Sequence, residues 1–279
     1  MSYNAMSPGT LDYAPCRYGE SRLLFRGPQR RLDVPYLAFL GGTETYGKFI
    51  KTPFPALVET DLGVNCINLG IPNAGIDVFI KDPTVMAAAG DAVATVIQIV
   101  GAQNMSNRFY QVHPRRNDRF VTPSQVLRIV YPEVDFAEFH FTRHMLAHLL
   151  HVSEDRFSVV RDELQKAWSA RMDLLLNRIS SRVLLLWFAD RAPEENDGLM
   201  PELAKARHPL FVTRAMLDRL ASDTVSVVEV VATPEAISAG TDGMVFSQLE
   251  ALAAREMLGP RAHGEVALEI GPLLHGLVA

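Results

Sequence analysis

Five short apolar runs punctuate the chain: Tyr36–Leu40 (YLAFL), Val64–Leu69 (VNCINL), Ala94–Val100 (ATVIQIV), Val183–Phe188 (VLLLWF) and Val225–Ala232 (VSVVEVVA). They lack the strict polar alternation of a half-exposed strand, which predicts strands covered on both faces, as in a parallel sheet. Helical patterns over Tyr46–Leu62, Pro201–His208, Arg214–Ser222 and Phe246–Leu258 separate several of them. The alternation predicts an α/β fold with a mostly parallel five-stranded sheet between helices. Ligands of such sheets bind beyond the carboxyl ends of the strands.

Residues 101–181 differ in character. A polar loop leads into two helical patterns, Phe136–His151 and Asp155–Ile179, with Ser153 placed to cap the second. This helical insertion is expected over the carboxyl edge of the sheet, or alternatively against its flank. Asp190–Gly198 reads as an acidic surface loop. The whole of 1–279 reads as one domain, with 101–181 inserted within it.

Composition narrows the function. The chain has 279 residues, 48% of them hydrophobic and 21% charged, as in ordinary globular proteins. Its 27 basic and 32 acidic residues give a net charge of −5, which argues against a nucleic-acid binder working through a global positive field and leaves only a local basic patch open. The two cysteines, Cys16 and Cys66, cannot build a disulfide framework and lack zinc-knuckle spacing, and Cys66 reads as an inert core thiol. Neither Val93–Val100 nor Val183–Phe188 approaches the length of a membrane span, and the N-terminus carries no signal-peptide pattern. The expectation is a cytoplasmic protein with a small-molecule or glycan substrate and no nucleic-acid or membrane partner. A homo-oligomer is compatible with the exposed faces of the insertion. No cofactor is expected.

The first strand runs into Gly41-Gly42-Thr43-Glu44-Thr45-Tyr46-Gly47. Two glycines permit a tight turn into a helix, whose first amides favour an anion or a developing oxyanion. Thr43 or Thr45 is then either a nucleophile or a helix cap. The spacing is not that of a P-loop.

This segment resembles the first block of the SGNH (GDSL-like) hydrolase superfamily, Gly-Asp-Ser-x-Thr-Tyr-Gly, with Thr43 at the nucleophilic serine and Gly42 at the aspartate. Asn68-Leu69-Gly70-Ile71-Pro72-Asn73-Ala74-Gly75 is similar to the second block, and Val100-Gly101-Ala102-Gln103-Asn104-Met105 to the third. The resemblance implies a three-layer flavodoxin-like sandwich and an esterase or acyltransferase. It implies an oxyanion hole formed by the Thr43 amide, Gly70 and Gln103 or its neighbour Asn104. For the base it leaves His263, in Gly259-Pro260-Arg261-Ala262-His263, with Pro260 where the block has aspartate, and His275 as the other late histidine. Asp242 could orient His263, and Glu44 is an alternative acid or base. The phrases NMSNRFYQVHPRRNDRF and DFAEFHFTRHML also resemble a bacterial domain family of unknown function over nearly the whole chain.

The segment from Asn107 to Arg119 holds four arginines and one aspartate. Arg108, His113, Arg115 and Arg116 suit an anionic substrate group, with Asn107, Tyr110, Thr45 and Asn73 completing the binding set. The alternative is a salt-bridged loop anchored through Asp118 and Asp135. His140, His144, His148 and His151 fall at steps of four, four and three, one stripe on a helix. The stripe could serve a metal, a lid or subunit contact, or an ordinary helix face, but no HExxH pattern is present, and no metal is assigned. Two functions remain open: an SGNH-like esterase or acyltransferase acting on a small polar or carbohydrate-like substrate with an anionic group, and a non-catalytic relative that binds anions or assembles polysaccharide.

Overall fold

The computed structural model describes residues 10–193 and 209–278. Five parallel strands, β1 (Tyr36–Leu40), β2 (Asn65–Asn68), β3 (Ala94–Gln98), β6 (Arg182–Ala189) and β7 (Val225–Val231), form one sheet in the order β2-β1-β3-β6-β7. Leu37 pairs with Cys66 on one side and Ala94 on the other, Val96 pairs with Leu184, and Leu186 pairs with Val228. Counted within the sheet this is the order 2-1-3-4-5 of flavodoxin-like folds, whose switch point lies between β1 and β3.

Side chains of each strand alternate between two cores because successive Cβ atoms leave opposite faces. Leu37, Phe39, Val96, Leu184, Leu186 and Phe188 meet Phe54 and Val58 of α2 (Phe54–Leu62) and Ala262, Val266 and Ile270 of α11 (Pro260–Val278). Ala38, Leu40, Ile97, Leu185 and Trp187 face the opposite layer. There α3 (Asp77–Ile80), α4 (Pro83–Gly90) and the long α7 (Glu154–Leu176) cover the sheet.

The insertion divides between the two expected positions. Phe157, Val160, Leu164, Trp168, Met172 and Leu175 of α7 enter the sheet core, and Trp168 Nε1 donates to the Val100 carbonyl at 2.8 Å, so α7 packs on the flank. Ser153 caps α7 by accepting from the Arg156 amide, as its sequence position predicts. The expected polar loop instead holds an antiparallel hairpin, β4 (Tyr110–His113) and β5 (Arg116–Pro123). It folds because Tyr110, Val112 and Phe120 point into the core while Arg115 and Arg116 at the turn face out. It leads to the short α5 (Gln125–Val130) and then to α6 (Thr142–Val152).

Other boundaries shift for local reasons. The helix expected over Tyr46–Leu62 splits into α1 (Thr43–Tyr46) and α2, because Gly47 turns left-handed at φ 72° and Pro53 starts a new helix. Phe136–His151 is interrupted because Phe141 bridges to Arg119 and the His140 carbonyl accepts from the Phe120 amide, holding that stretch extended. The expected helix over Phe246–Leu258 is a 3-10 turn at Gln248–Glu250 followed by α10 (Ala251–Arg255). The remaining helices are α8 (Arg214–Asp218) and α9 (Pro234–Ser238). Pro201–His208 and most of the Asp190–Gly198 loop lie outside the described residues. No helix among the described residues is long and apolar enough to cross a membrane.

Candidate active site

At the end of β1 the chain must turn within two residues. A Cβ on Gly41 would fall 2.1 Å from Thr45 Oγ1 and 2.7 Å from Gln98, so the close approach of β3 admits only glycine there. Gln98 ends β3, and its Oε1 accepts from the Gly42 amide at 3.0 Å, the Thr45 amide at 3.1 Å and the Thr45 hydroxyl at 2.7 Å. Its Nε2 donates to Glu44 Oε2 at 3.0 Å. From the other side Arg26, itself buried, donates to the carbonyls of Tyr46, Gly47, Ile50 and Lys51 at 2.5–3.1 Å. Thr45 is therefore a structural residue, fully buried with its hydroxyl committed to Gln98.

Thr43 begins α1 with its hydroxyl against the loop after β2. Its Oγ1 accepts from the Asn73 amide at 3.0 Å and donates to Asn73 Oδ1 at 3.4 Å. Asn73 reaches this pose with a left-handed φ of 56°, a region asparagine tolerates better than most residues. Its Nδ2 faces Asp118 Oδ2 at 3.4 Å. The Gly70 amide is spent on Asn68 Oδ1 at 2.9 Å, and a Cβ there would meet the Tyr46 nitrogen at 2.3 Å. Gly70 thus serves close packing, and Asn73 supplies the amide that meets Thr43. Asn104 is also committed, donating to the Asn73 carbonyl at 3.0 Å and accepting from the Thr142 hydroxyl at 2.8 Å.

A cavity of about 170 Å3 opens at the carboxyl ends of β1, β3 and β6, lined by Thr43, Glu44, Asn73, Gln98, Gln103, Asn104, Arg143, Asp190 and Glu256. A second, of about 480 Å3, shares Asn73, Gln103, Asn104 and Arg143 and adds Asp118, Phe141, Thr142 and His144. Burial pushes the Glu44 carboxyl up, opposed by its bond from Gln98. Burial likewise raises Asp118, against the pull of Arg119 and the Asn73 bond. Burial lowers the Arg143 guanidinium, and the nearby Glu256 charge opposes that shift.

His263 does not line this cavity. It is 1% exposed on α11, stacked on Phe54 at 5.8 Å and edge-on to Phe188 at 5.3 Å, and its Nδ1 accepts from the Phe54 amide. Burial drives its pKa down to about 3, with the Arg26 charge adding to the shift. Helix α11, laid across the sheet's face, carries residue 263 between Phe54 and Phe188, the latter a wall of the cavity, and buries it behind that wall, while His275 is exposed on the same helix.

The arginine run also lies outside both cavities. Arg108 pairs with Glu163 of α7 at 3.0 Å, and its amide bonds the same carboxylate, so Glu163 anchors the loop where Asp118 or Asp135 was the expectation. His113 Nδ1 accepts from the amides of Arg115 and Arg116, closing the exposed hairpin turn. Asn107 Oδ1 accepts from the amides of Phe109 and Tyr110, shaping a turn. Tyr110, fully buried, donates to the Gln103 carbonyl at 2.6 Å and so props a cavity wall from behind. His140 falls outside α6, and His144 and His148 pack on Phe139. No group of three or more metal-ligating side chains occurs among the described residues.

The family described as "Domain of unknown function (DUF6473)" matches residues 1–278. The chain belongs to that family. No curated protein matches the DUF6473 chain in sequence. A carbohydrate esterase family 2 enzyme with a carbohydrate binding domain, from Corynascus thermopiles (Myceliophthora fergusii), is 10% identical over 90% of this chain and 69% of its own, with a TM-score of 0.44. A variant of an acetyl-xylooligosaccharide esterase from Geobacillus Stearmophilus is 13% identical over 86% of this chain and 93% of its own, with a TM-score of 0.42.

Four polar residues lining the cavity of this DUF6473 chain are not among the candidate site residues: Gln98, Arg143, Asp190 and Glu256. Gln98 alone carries a sequence signal, a lone amide closing a buried apolar strand. Arg143 sits inside the histidine stripe, where its neighbours mask it.

Proposed function

We propose that this DUF6473 chain is an SGNH-like esterase or acyltransferase of small polar or carbohydrate-like substrates, with Thr43 as nucleophile and Glu44, in place of His263, as base. The observation that carries the reading is the meeting of a hydroxyl, a backbone amide and a carboxyl around one cavity at the β1–β3 switch point. Thr43 Oγ1 attacks the acyl carbon and its proton passes to the Glu44 carboxylate. The Thr43 amide receives the negative charge that develops on the acyl oxygen, while the Asn73 amide holds the attacking hydroxyl in place. Glu44 then gives the proton to the departing alkoxide. Water, or an acceptor alcohol, attacks the acyl-threonine, loses its proton to Glu44, and regenerates the Thr43 hydroxyl as the acid or new ester leaves. Desolvation suits Glu44 to this task because it raises proton affinity. An anionic group on the substrate would be taken by Arg143, the guanidinium that lines both cavities.

One observation favours a second reading, a non-catalytic binding or assembly protein: the Thr43 hydroxyl donates to Asn73 Oδ1, an amide oxygen that cannot act as a base. Hydrolysis of 4-nitrophenyl acetate by the unaltered chain and by Thr43→Ala separates the two. The esterase reading expects a loss of about 10³-fold in kcat/KM and an acetyl adduct on Thr43 in the unaltered chain only. Equal turnover by both removes Thr43 from the mechanism, and no turnover by either favours the binding protein.

A further inference from the structure

We infer that Gln98 is a positioning residue for the proposed reaction, locking the Thr43 turn through its side-chain oxygen and aiming the Glu44 carboxyl through its side-chain nitrogen. The inference rests on Glu44 being the base.

The argument starts from burial. Gln98 is 4% exposed at the end of a central strand whose other residues are fully covered, so every polar atom of its amide needs a partner. Three donors converge on Oε1, two of them backbone amides that cannot turn away. Rotating the amide by half a turn would set its NH2 against those N–H groups, donor against donor, so its orientation is fixed. The nitrogen then has one direction available, and Glu44 Oε2 lies there at 3.0 Å.

Gly42 completes the arrangement. A Cβ at residue 42 would stand 3.7 Å from Glu44 Oε2, 3.9 Å from Gln98 Oε1 and 3.5 Å from Val100 Cγ1. The carboxyl therefore folds back over Gly42, into space that a longer side chain at that position would occupy. In the resembling first block this is the aspartate position, and here the carboxyl arrives from two residues further along. The same amide thus ties the nucleophile's turn and the base together, and the neutral donor on Oε2 favours the ionised carboxylate against the effect of burial.

Gln98→Glu tests this. Glutamate keeps an oxygen for the three donors but turns a second oxygen, instead of an N–H, toward Glu44, so two carboxyls must share a proton. The acid limb of kcat/KM against pH should move up by about one unit or more, a loss of roughly tenfold on that limb. In the unaltered protein, the Gln98 side-chain NH2 resonances should titrate with the midpoint of the same limb, a measurement that needs no variant to fold. An unmoved limb in a folded Gln98→Glu protein, or NH2 resonances that do not titrate, overturns the role of Gln98. If Glu44→Gln keeps both full turnover and the acid limb, the underlying assignment of the base has failed instead.

Discussion

Thr43 and His263 show how the same sheet treats two reactive side chains in opposite ways. Thr43 stands at the end of a strand, where the chain must turn and where amides, carboxyls and a cavity converge. His263 lies one layer below, between two phenyl rings, with one ring nitrogen committed to a backbone amide. A side chain at the strand ends is met by backbone groups still lacking partners, whereas one on a face is met by packed hydrocarbon. Chemistry follows the former position, and a histidine in the latter is a shaped piece of core.

The strongest test of this contrast is turnover itself. Thr43→Val, which keeps the shape and removes the hydroxyl, should abolish acetyl ester hydrolysis, while His263→Phe should leave kcat within about twofold; a loss of similar size in a folded His263→Phe protein would return that histidine to the mechanism. The next effect is on stability. His263 binds its proton far more weakly folded, at about 3, than its ordinary 6.5, so between these values the unfolded chain takes up a proton that the folded chain refuses. Stability should fall as pH falls through this window, by up to roughly 1.4 kcal/mol per pH unit from this group. Urea unfolding at several pH values should show that slope diminished in His263→Phe.

Smaller effects separate the two arginine regions. Arg143→Ala should raise KM for an anionic acyl ester by about tenfold more than for a neutral one, with kcat little changed. Equal KM changes for the two esters would remove Arg143 from substrate recognition. Arg108→Ala should change neither KM, and because the guanidinium is 76% exposed its ion pair with Glu163 should contribute less than about 1 kcal/mol to urea unfolding.

The sheet is legible in the sequence because strands buried on both sides have no freedom to be polar. Tyr36–Leu40 begins and ends where its letters change, and the other four runs agree with their strands to within one or two residues. The hairpin was hidden by Arg115, Arg116, Asp118 and Arg119, which dominate its composition although Tyr110, Val112 and Phe120 decide its fold. The site is less legible, for a different reason. Gly70 and Asn73 stand in one motif-like run, and which amide serves Thr43 depends on Asn68 having already claimed the amide of Gly70. Hydrogen-bond competition of that kind is settled in three dimensions, as is the burial of His263 between Phe54 and Phe188.

The shortest chain that carries the whole sheet is not the shortest chain that carries the site. All five sheet strands lie downstream of residue 35, yet the turn that presents Thr43 is held from beneath by Arg26, whose one guanidinium collects four main-chain carbonyls. A chain beginning at Tyr36 would retain every sheet strand and every interstrand hydrogen bond of the sheet. It would also leave four carbonyls around the nucleophile's turn to find water, and lysine at position 26, with three donors in place of five, could not restore them.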